Sequence, residues 1–328
     1  MRLFKLLTLI GGVAIFAWIL SRADLGAVTQ VMTRLGTYGA AVILATFGVA
    51  MVSDVISWAL MFRSVALSAA WSVRLWLVLM VGEAFNMLTP FGAFGGEPFK
   101  ALLLKRHYDI SYTEGTASLV LIQTVNSLAQ VPFAVIGAVL MVRADILPDA
   151  LETGILAATA VISAFMVFVY VALHSRLLAK LPARMQDDES AAKLTRAITF
   201  FTDLEERLFH FVRNTPGRSA AALLFAFVSW VLGAVEIYFV FIFLDAPITF
   251  ADAWIVETVI VLVRSATFFV PAHIGVQDGA LTMVGRALTG SNEIGLAMAL
   301  IRRGRELFWA GVGLLIYAGF NLRDRKGE

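Results

Sequence analysis

Between Glu114 and Arg143 the chain carries no charged residue. An apolar run of this length, about 113–142, exceeds the ~20 residues that a helix needs to cross the hydrocarbon core of a bilayer. Such blocks recur, and they constrain the fold more than any other feature. Runs fall at about 3–20, 38–62, 152–173, 219–244 and 292–320. Two further apolar regions, about 73–104 and 253–289, are interrupted by Pro and Gly near their middles. Only 15% of the 328 residues are charged, whereas soluble domains sit near ~25%. A soluble α protein would need a more polar surface than this chain can supply. The expectation is an all-α polytopic membrane protein, a single integral domain over 1–328. The N-terminal run from Leu6 to Leu20 follows a basic start like a signal peptide, but no small-x-small site follows it. It is read as a retained span.

Basic residues orient the chain, because Lys and Arg collect on the cytoplasmic side. Arg2 and Lys5 precede the first run, and Arg323, Arg325 and Lys326 follow the last. The connector of about 174–218 holds Arg176, Lys180, Arg184, Lys193, Arg196, Arg207, Arg213 and Arg218. All three groups are expected inside. Counting crossings then gives about six full spans. Region 73–104 returns to the inside and carries the basic cluster Lys100, Lys105, Arg106 and His107 with it. Region 253–289 enters and returns from the outside. In the connector, Leu194, Ala197, Ile198, Phe201, Leu204, Leu208, Phe211 and Val212 form one helical face, suited to the membrane interface or to packing over loops.

The two broken regions align on their prolines. EAFNMLTPFGAFGGEPFK pairs with RSATFFVPAHIGVQDGAL. Pro90 matches Pro271, Gly95 or Gly96 matches Gly275, and Glu97 answers to Gln277 or Asp278. Gly92 adds a further breaker to the first loop. Glu83 and Arg264 stand at corresponding positions before each proline, followed by Asn86 and Thr267. Matching interruptions in oppositely oriented segments are the sequence sign of an inverted repeat, here with halves of about 38–173 and 219–320. Freed backbone groups are costly in hydrocarbon, so such breaks persist inside protein or around a wet cavity. Short helices are expected to begin near Gly96 and near Val276, with N-termini suited to an anion.

The apolar segments also hold Asp54, Glu83, Glu97, Glu236, Glu257, Arg264, Asp278, Arg302, Arg303, Arg305 and Glu306. Each charge at bilayer depth costs about 2.5–3.5 kcal/mol on insertion scales, so these residues either pair internally or line a pathway. Glu83 with Arg264, and Glu257 with an arginine of the 302–305 group, are the internal pairs to weigh. Arg264, Arg302 and Arg303 are the first candidates for phosphate contact, because the guanidinium fork matches phosphate oxygens. Glu83, Asn86, Glu97, Gln277 and Asp278 complete the candidate substrate site.

NMLTPFGAFGGEPFKALLL and LVRSATFFVPAHIGVQDGAL resemble the paired motifs of the flippase-like membrane domain of lysylphosphatidylglycerol synthases. The RSATFFVPAHIGVQDG form with its downstream RRGRE is most similar to the hopanoid-associated branch. Ala272 and His273 stand where that family often has glycine, and Asp278 where it often has Glu. The resemblance implies a lipid-translocating domain of the bacterial inner membrane with re-entrant segments around a central cavity. With no soluble transferase domain in the chain, it does not imply lipid aminoacylation.

Three functions fit these residues. A transporter would move an amphipathic lipid between leaflets. It has no ATP-binding P-loop, so any drive would come from an ion gradient, with Glu83, Glu97, Glu236 and Asp278 as candidate proton carriers. A headgroup-modifying enzyme needs a nucleophile or metal cluster. The histidines, at 107, 174, 210 and 273, have no metal-ligand spacing, and cysteine is absent. A scaffold for lipid-synthesis enzymes would tolerate neutral replacement of the buried charges. The transporter is the favoured expectation, with no cofactor, no catalytic residues and no nucleic-acid partner.

Overall fold

Each apolar run that falls on described residues is a helix. The computed structural model describes residues 25–62, 65–88, 95–144, 149–174, 213–268 and 270–327. The first run, about 3–20, and the amphipathic face at 191–212 lie outside the described residues, as do Pro90 and Gly92. The helices are α1 (Leu25–Ala59), α2 (Ala69–Leu88), α3 (Glu97–Tyr108), α4 (Tyr112–Ala144), α5 (Asp149–His174), α6 (Pro216–Phe243), α7 (Phe250–Ala266), α8 (Val276–Thr289) and α9 (Asn292–Gly327), with a 3-10 turn at Pro271–His273 before α8. No strand occurs among the described residues.

By length and composition, Val28–Ala59, Tyr112–Ala144 and Pro216–Phe243 are each able to cross a membrane. The outer faces agree. Val161, Phe165 and Phe168 of α5 are 68%, 57% and 65% exposed, and Leu315 of α9 is 75% exposed. Rows of bare aromatic and branched side chains are stable against lipid and a liability in water. The protein is therefore a membrane protein.

Local chemistry sets the helix ends. Thr249 caps α7 by accepting from the Asp252 N–H (3.2 Å), while Asp252 accepts from the Thr249 N–H (2.9 Å), a reciprocal box that fills two orphan donors. Asp109, in the left-handed region at φ 55°, closes α3, and Gly290 at φ 73° closes α8. Within α1, Gly36 (φ 60°, ψ 179°) breaks the helix.

Packing divides into two apolar cores. One gathers Val28 and Ile43 of α1, Ile237 and Phe241 of α6, Val256 and Ile260 of α7, Leu281 and Val284 of α8, and Leu296 and Ile301 of α9. The other gathers Val55 and Trp58 of α1, Leu75 and Val78 of α2, Ala101 and Leu104 of α3, Leu119 and Val125 of α4, Ala222 and Ala226 of α6, and Phe320 of α9. The long helices α1, α6 and α9 thus run through both cores, as does α4, which adds Ala134 and Met141 to the first. The broken pair α2/α3 belongs to one core and the pair α7/α8 to the other.

Their outer ends also differ. Trp71 at the start of α2 meets Tyr108 at the end of α3 (6.0 Å between ring centroids), and His107 packs on Phe320 (4.5 Å). Phe250 at the start of α7 instead meets Tyr238, near the end of α6 (6.0 Å). At the other end of α6, Arg218 donates to the Phe62 carbonyl (2.7 Å). The two broken pairs hang from opposite ends of the bundle.

Candidate functional site

The charges of the apolar segments collect at the two breaks. At the first, α2 stops at Leu88 and α3 starts at Glu97 behind the buried glycines Gly95 and Gly96. The Gly96 N–H donates to Asn86 Oδ1 (2.7 Å), and Asn86 Nδ2 donates to Glu83 Oε1 (3.3 Å). Lys100 Nζ donates to Glu83 (3.1 Å) and Glu97 (2.9 Å). Asp54 of α1 lies in electrostatic range of Glu83 and Lys100.

Lys100 corrects the sequence reading. It does not stand with Lys105 and Arg106 in a surface cluster. It is 5% exposed, and its methylenes run over Gly82, where a Cβ would meet Lys100 Cε at 2.0 Å. The signal available in sequence was its place three residues after Glu97 on a short helix.

At the second break, α7 ends at Ala266 and α8 begins at Val276. Between them Ala272 (φ 48°) and His273 (φ 50°) sit in the left-handed region. Two interactions hold this turn. His273 Nδ1 is 3.1 Å from the Thr267 carbonyl. Arg303 of α9 donates to the carbonyls of Ala272 (2.8 Å) and His273 (3.3 Å), and to both oxygens of Asp278 (2.9 Å each). Asp278 also accepts from the Gly275 N–H (2.9 Å). A left-handed alanine carries a Cβ clash that glycine lacks. Ala272→Gly is therefore expected to raise stability by about 0.5–1 kcal/mol if Arg303 keeps the turn in place. Thermal unfolding in detergent, beside an Arg303→Ala control that loses the turn's support, measures it.

Arg302 and Arg305 of α9 are also paired. Arg302 donates through two nitrogens to Glu257 (2.7 and 3.2 Å), and both side chains are buried. Arg305 binds Glu236 and lies over the Phe47 ring (4.0 Å). Glu306 accepts from Arg303 (2.8 Å) and Gln277 (3.2 Å). Of the two internal pairs weighed from sequence, Glu257 with Arg302 forms. Glu83 with Arg264 does not, because Lys100 takes Glu83. Arg302 and Arg303 are thus held by protein carboxylates.

Arg264, in the last turn of α7, is different. Among the described residues it has no hydrogen-bond or ion-pair partner, and it is exposed. Arg302, Arg305, Glu257 and Glu306 lie within electrostatic range of it.

The structure brings the two breaks together, since α2 packs against the 3-10 turn. At each break the N-cap N–H is taken by a side chain: Gly96 donates to Asn86 and Gly275 to Asp278. No three His, Asp or Glu side chains gather into a metal site among the described residues.

No curated protein and no solved structure is significantly similar to the chain. The model of the family described as "Lysylphosphatidylglycerol synthase TM region" matches residues 4–313, nearly the whole length, and the chain belongs to that family.

Proposed function

We propose that this protein moves an amphipathic lipid between leaflets of the bacterial cytoplasmic membrane, with both termini cytoplasmic. The observation that carries the reading is the open Arg264 beside two helix breaks that meet inside the bundle. Six spans (residues 3–20, α1, α4, α5, α6 and α9) would frame two re-entrant pairs, α2/α3 and α7/α8. Helix lengths support this. With 12 and 14 residues, α3 and α8 reach about 18 and 21 Å, short of a ~30 Å hydrocarbon core. The opposite outer ends of the two pairs support entry from opposite faces. The halves, about 38–173 and 219–320, would be related as an inverted repeat across the connector of 174–218.

In this reading a lipid headgroup passes the Arg264 layer while its tails stay in hydrocarbon. The paired charges supply a polar wall that protein, not lipid, solvates. Glu83, Asn86, Glu97, Gln277, Asp278, Arg302 and Arg303 line or brace that wall. The protein transforms no covalent bond and needs no cofactor. The family supports work on lipid. The choice between a phospholipid and a hopanoid-type lipid belongs to experiment.

The test is a leaflet assay. Purified protein is placed in liposomes bearing fluorescent phosphatidylglycerol or phosphatidylcholine, and dithionite quenches the outer leaflet. Loss of fluorescence beyond the outer-leaflet fraction, absent from empty liposomes, is the expected result. Retention of the inner-leaflet signal for every lipid tried, in both polarities of an imposed proton gradient, would contradict translocation of these phospholipids.

A further inference from the structure

The apolar run of α4 carries one polar face. Gln123, Ser127 and Gln130 follow one another at four and three residues, so they stand in a row along the helix. Pro132, Ile136 and Val139 are exposed on the opposite side, Ile136 and Val139 at 40% and 48%, which gives that side to lipid. The polar row instead looks at α7. Gln130 Nε2 donates to Ser265 Oγ (2.9 Å). Seven residues on, a Cβ at Gly137 would lie 2.0 Å from Thr258 Oγ1, and Thr258 stands seven residues before Ser265. Seven residues are about two helical turns, so α4 and α7 run antiparallel and in step.

One further step of this kind back along α4 reaches Gln123. There α7 has already ended, at Ala266. Gln123 is exposed and Ser127 half-buried, and among the described residues neither side chain has a hydrogen-bond partner. The face that α7 covers as far as Ser265 is thus left open where the helix breaks. An amide without a partner is costly in hydrocarbon, and polar groups at that depth turn to protein or to a wet cavity.

The chemistry of the row points to its ligand. No charge stands on α4 between Glu114 and Arg143, so the row has nothing of its own to neutralise an ion. Its groups are of mixed sense. The Gln123 amide both donates and accepts, as does the Ser127 hydroxyl. Gln130 turns its amide nitrogen to Ser265 and keeps an acceptor oxygen. The neighbouring Asn126 Oδ1 is a buried acceptor without a partner. An anion brings acceptors alone and an ammonium donors alone. A hydroxyl brings both.

We propose that the open row of α4 binds the uncharged, hydroxyl-bearing part of a headgroup, with Gln123 and Ser127 making the contacts and Gln130 closing the row against α7. The ligand chemistry is a pair of neighbouring hydroxyls, as in a sugar or a glycerol. That those hydroxyls belong to a lipid rests on the translocation reading; their recognition does not.

Binding in a detergent without a sugar headgroup tests this. The full-length protein in lauryldimethylamine oxide is titrated with monoglucosyldiacylglycerol and with diacylglycerol of the same chains, and bound lipid is counted by native mass spectrometry. The glucosyl lipid is expected to bind about tenfold more tightly, the scale of one or two hydrogen bonds. Gln123→Leu and Ser127→Ala are each expected to lower that preference by about threefold or more. Thr124→Val, off the row and with its hydroxyl already turned to the Val120 carbonyl (2.9 Å), is expected to keep it. All three variants are expected to fold, since each places an apolar side chain on a membrane helix. Should Gln123→Leu fail to fold, Ser127→Ala decides.

Equal binding of the two lipids by the wild type overturns the proposal. So does a preference that survives both Gln123→Leu and Ser127→Ala, or that falls as far in Thr124→Val. Displacement of the glucosyl lipid by equimolar free glucose makes the ligand a soluble polyol and overturns the lipid assignment. A wild type that prefers the glucosyl lipid yet moves nothing in the leaflet assay refutes translocation and leaves this site standing. Lipid movement without the preference does the reverse.

Discussion

Glu257→Gln is expected to destabilise the protein by about 3–5 kcal/mol, the cost of leaving one member of a buried ion pair without its partner. Glu257 and Arg302 are 4% and 5% exposed at their side chains, and two hydrogen bonds join them. The substitution keeps the shape and removes the charge. Arg302 is then left with Glu306, 3.9 Å from its Nε, an acid already shared with Arg303 and Gln277. Glu257→Gln combined with Arg302→Met removes both charges, and most of the loss is expected to return, since two desolvated charges are replaced by a neutral contact. A double-mutant cycle read by thermal unfolding checks this. Equal losses in the single and double variants would show that Arg302 serves something other than Glu257.

Gly96→Ala is expected to cost about 3 kcal/mol or more, at the upper end of overpacking losses. A Cβ on Gly96 would lie 2.0 Å from the Gly82 carbonyl oxygen and 2.8 Å from its Cα. Those are backbone atoms, so no side chain can swing aside, and α2 and α3 must separate. Separation also pulls Gly96 N–H from Asn86 and Lys100 from Glu83, so the first break loses its fastening as well as its fit. Gly154→Ala on α5, where nothing lies within 4 Å, is the control. It is expected to be neutral or stabilising by up to about 1 kcal/mol, because alanine is the better helix former. A fluorescence-detected melting comparison of the two variants is sufficient. A Gly96→Ala protein that melts with the control would mean that α2 and α3 do not cross at these glycines.

The parts legible in sequence are those written in local pattern. Blocks of apolar residues dictate helices, and the boundaries of α4, α5 and α6 follow them closely. Gly and Pro mark breaks by what their backbones can and cannot do, and α3 starts at Glu97 and α8 at Val276 beside them. What local pattern hides is pairing across distance. Lys100 reads as one of a basic run because its neighbours are Lys105 and Arg106, yet its partner Glu83 lies 17 residues back, beyond the break. Arg303 reads as a free fork because the carbonyls it holds are 30 and 31 residues away, and backbone acceptors leave no trace in a sequence. In sequence, Arg264 reads no differently from Arg302 and Arg303. Only the structure separates the open guanidinium from the two that are paired, since being unpaired depends on what every neighbour has chosen.

The proposed path takes lipid past Arg264. The most direct measurement is the dithionite leaflet assay on wild type and Arg264→Gln side by side, at equal reconstitution and equal melting temperature. The account predicts that wild type exposes inner-leaflet phosphatidylglycerol to quencher and that Arg264→Gln slows this by about tenfold, the loss of one charge-assisted contact. Equal rates in the two proteins would contradict it. Lipid would then be crossing elsewhere, and the polar layer would be a brace that holds the two broken helix pairs together.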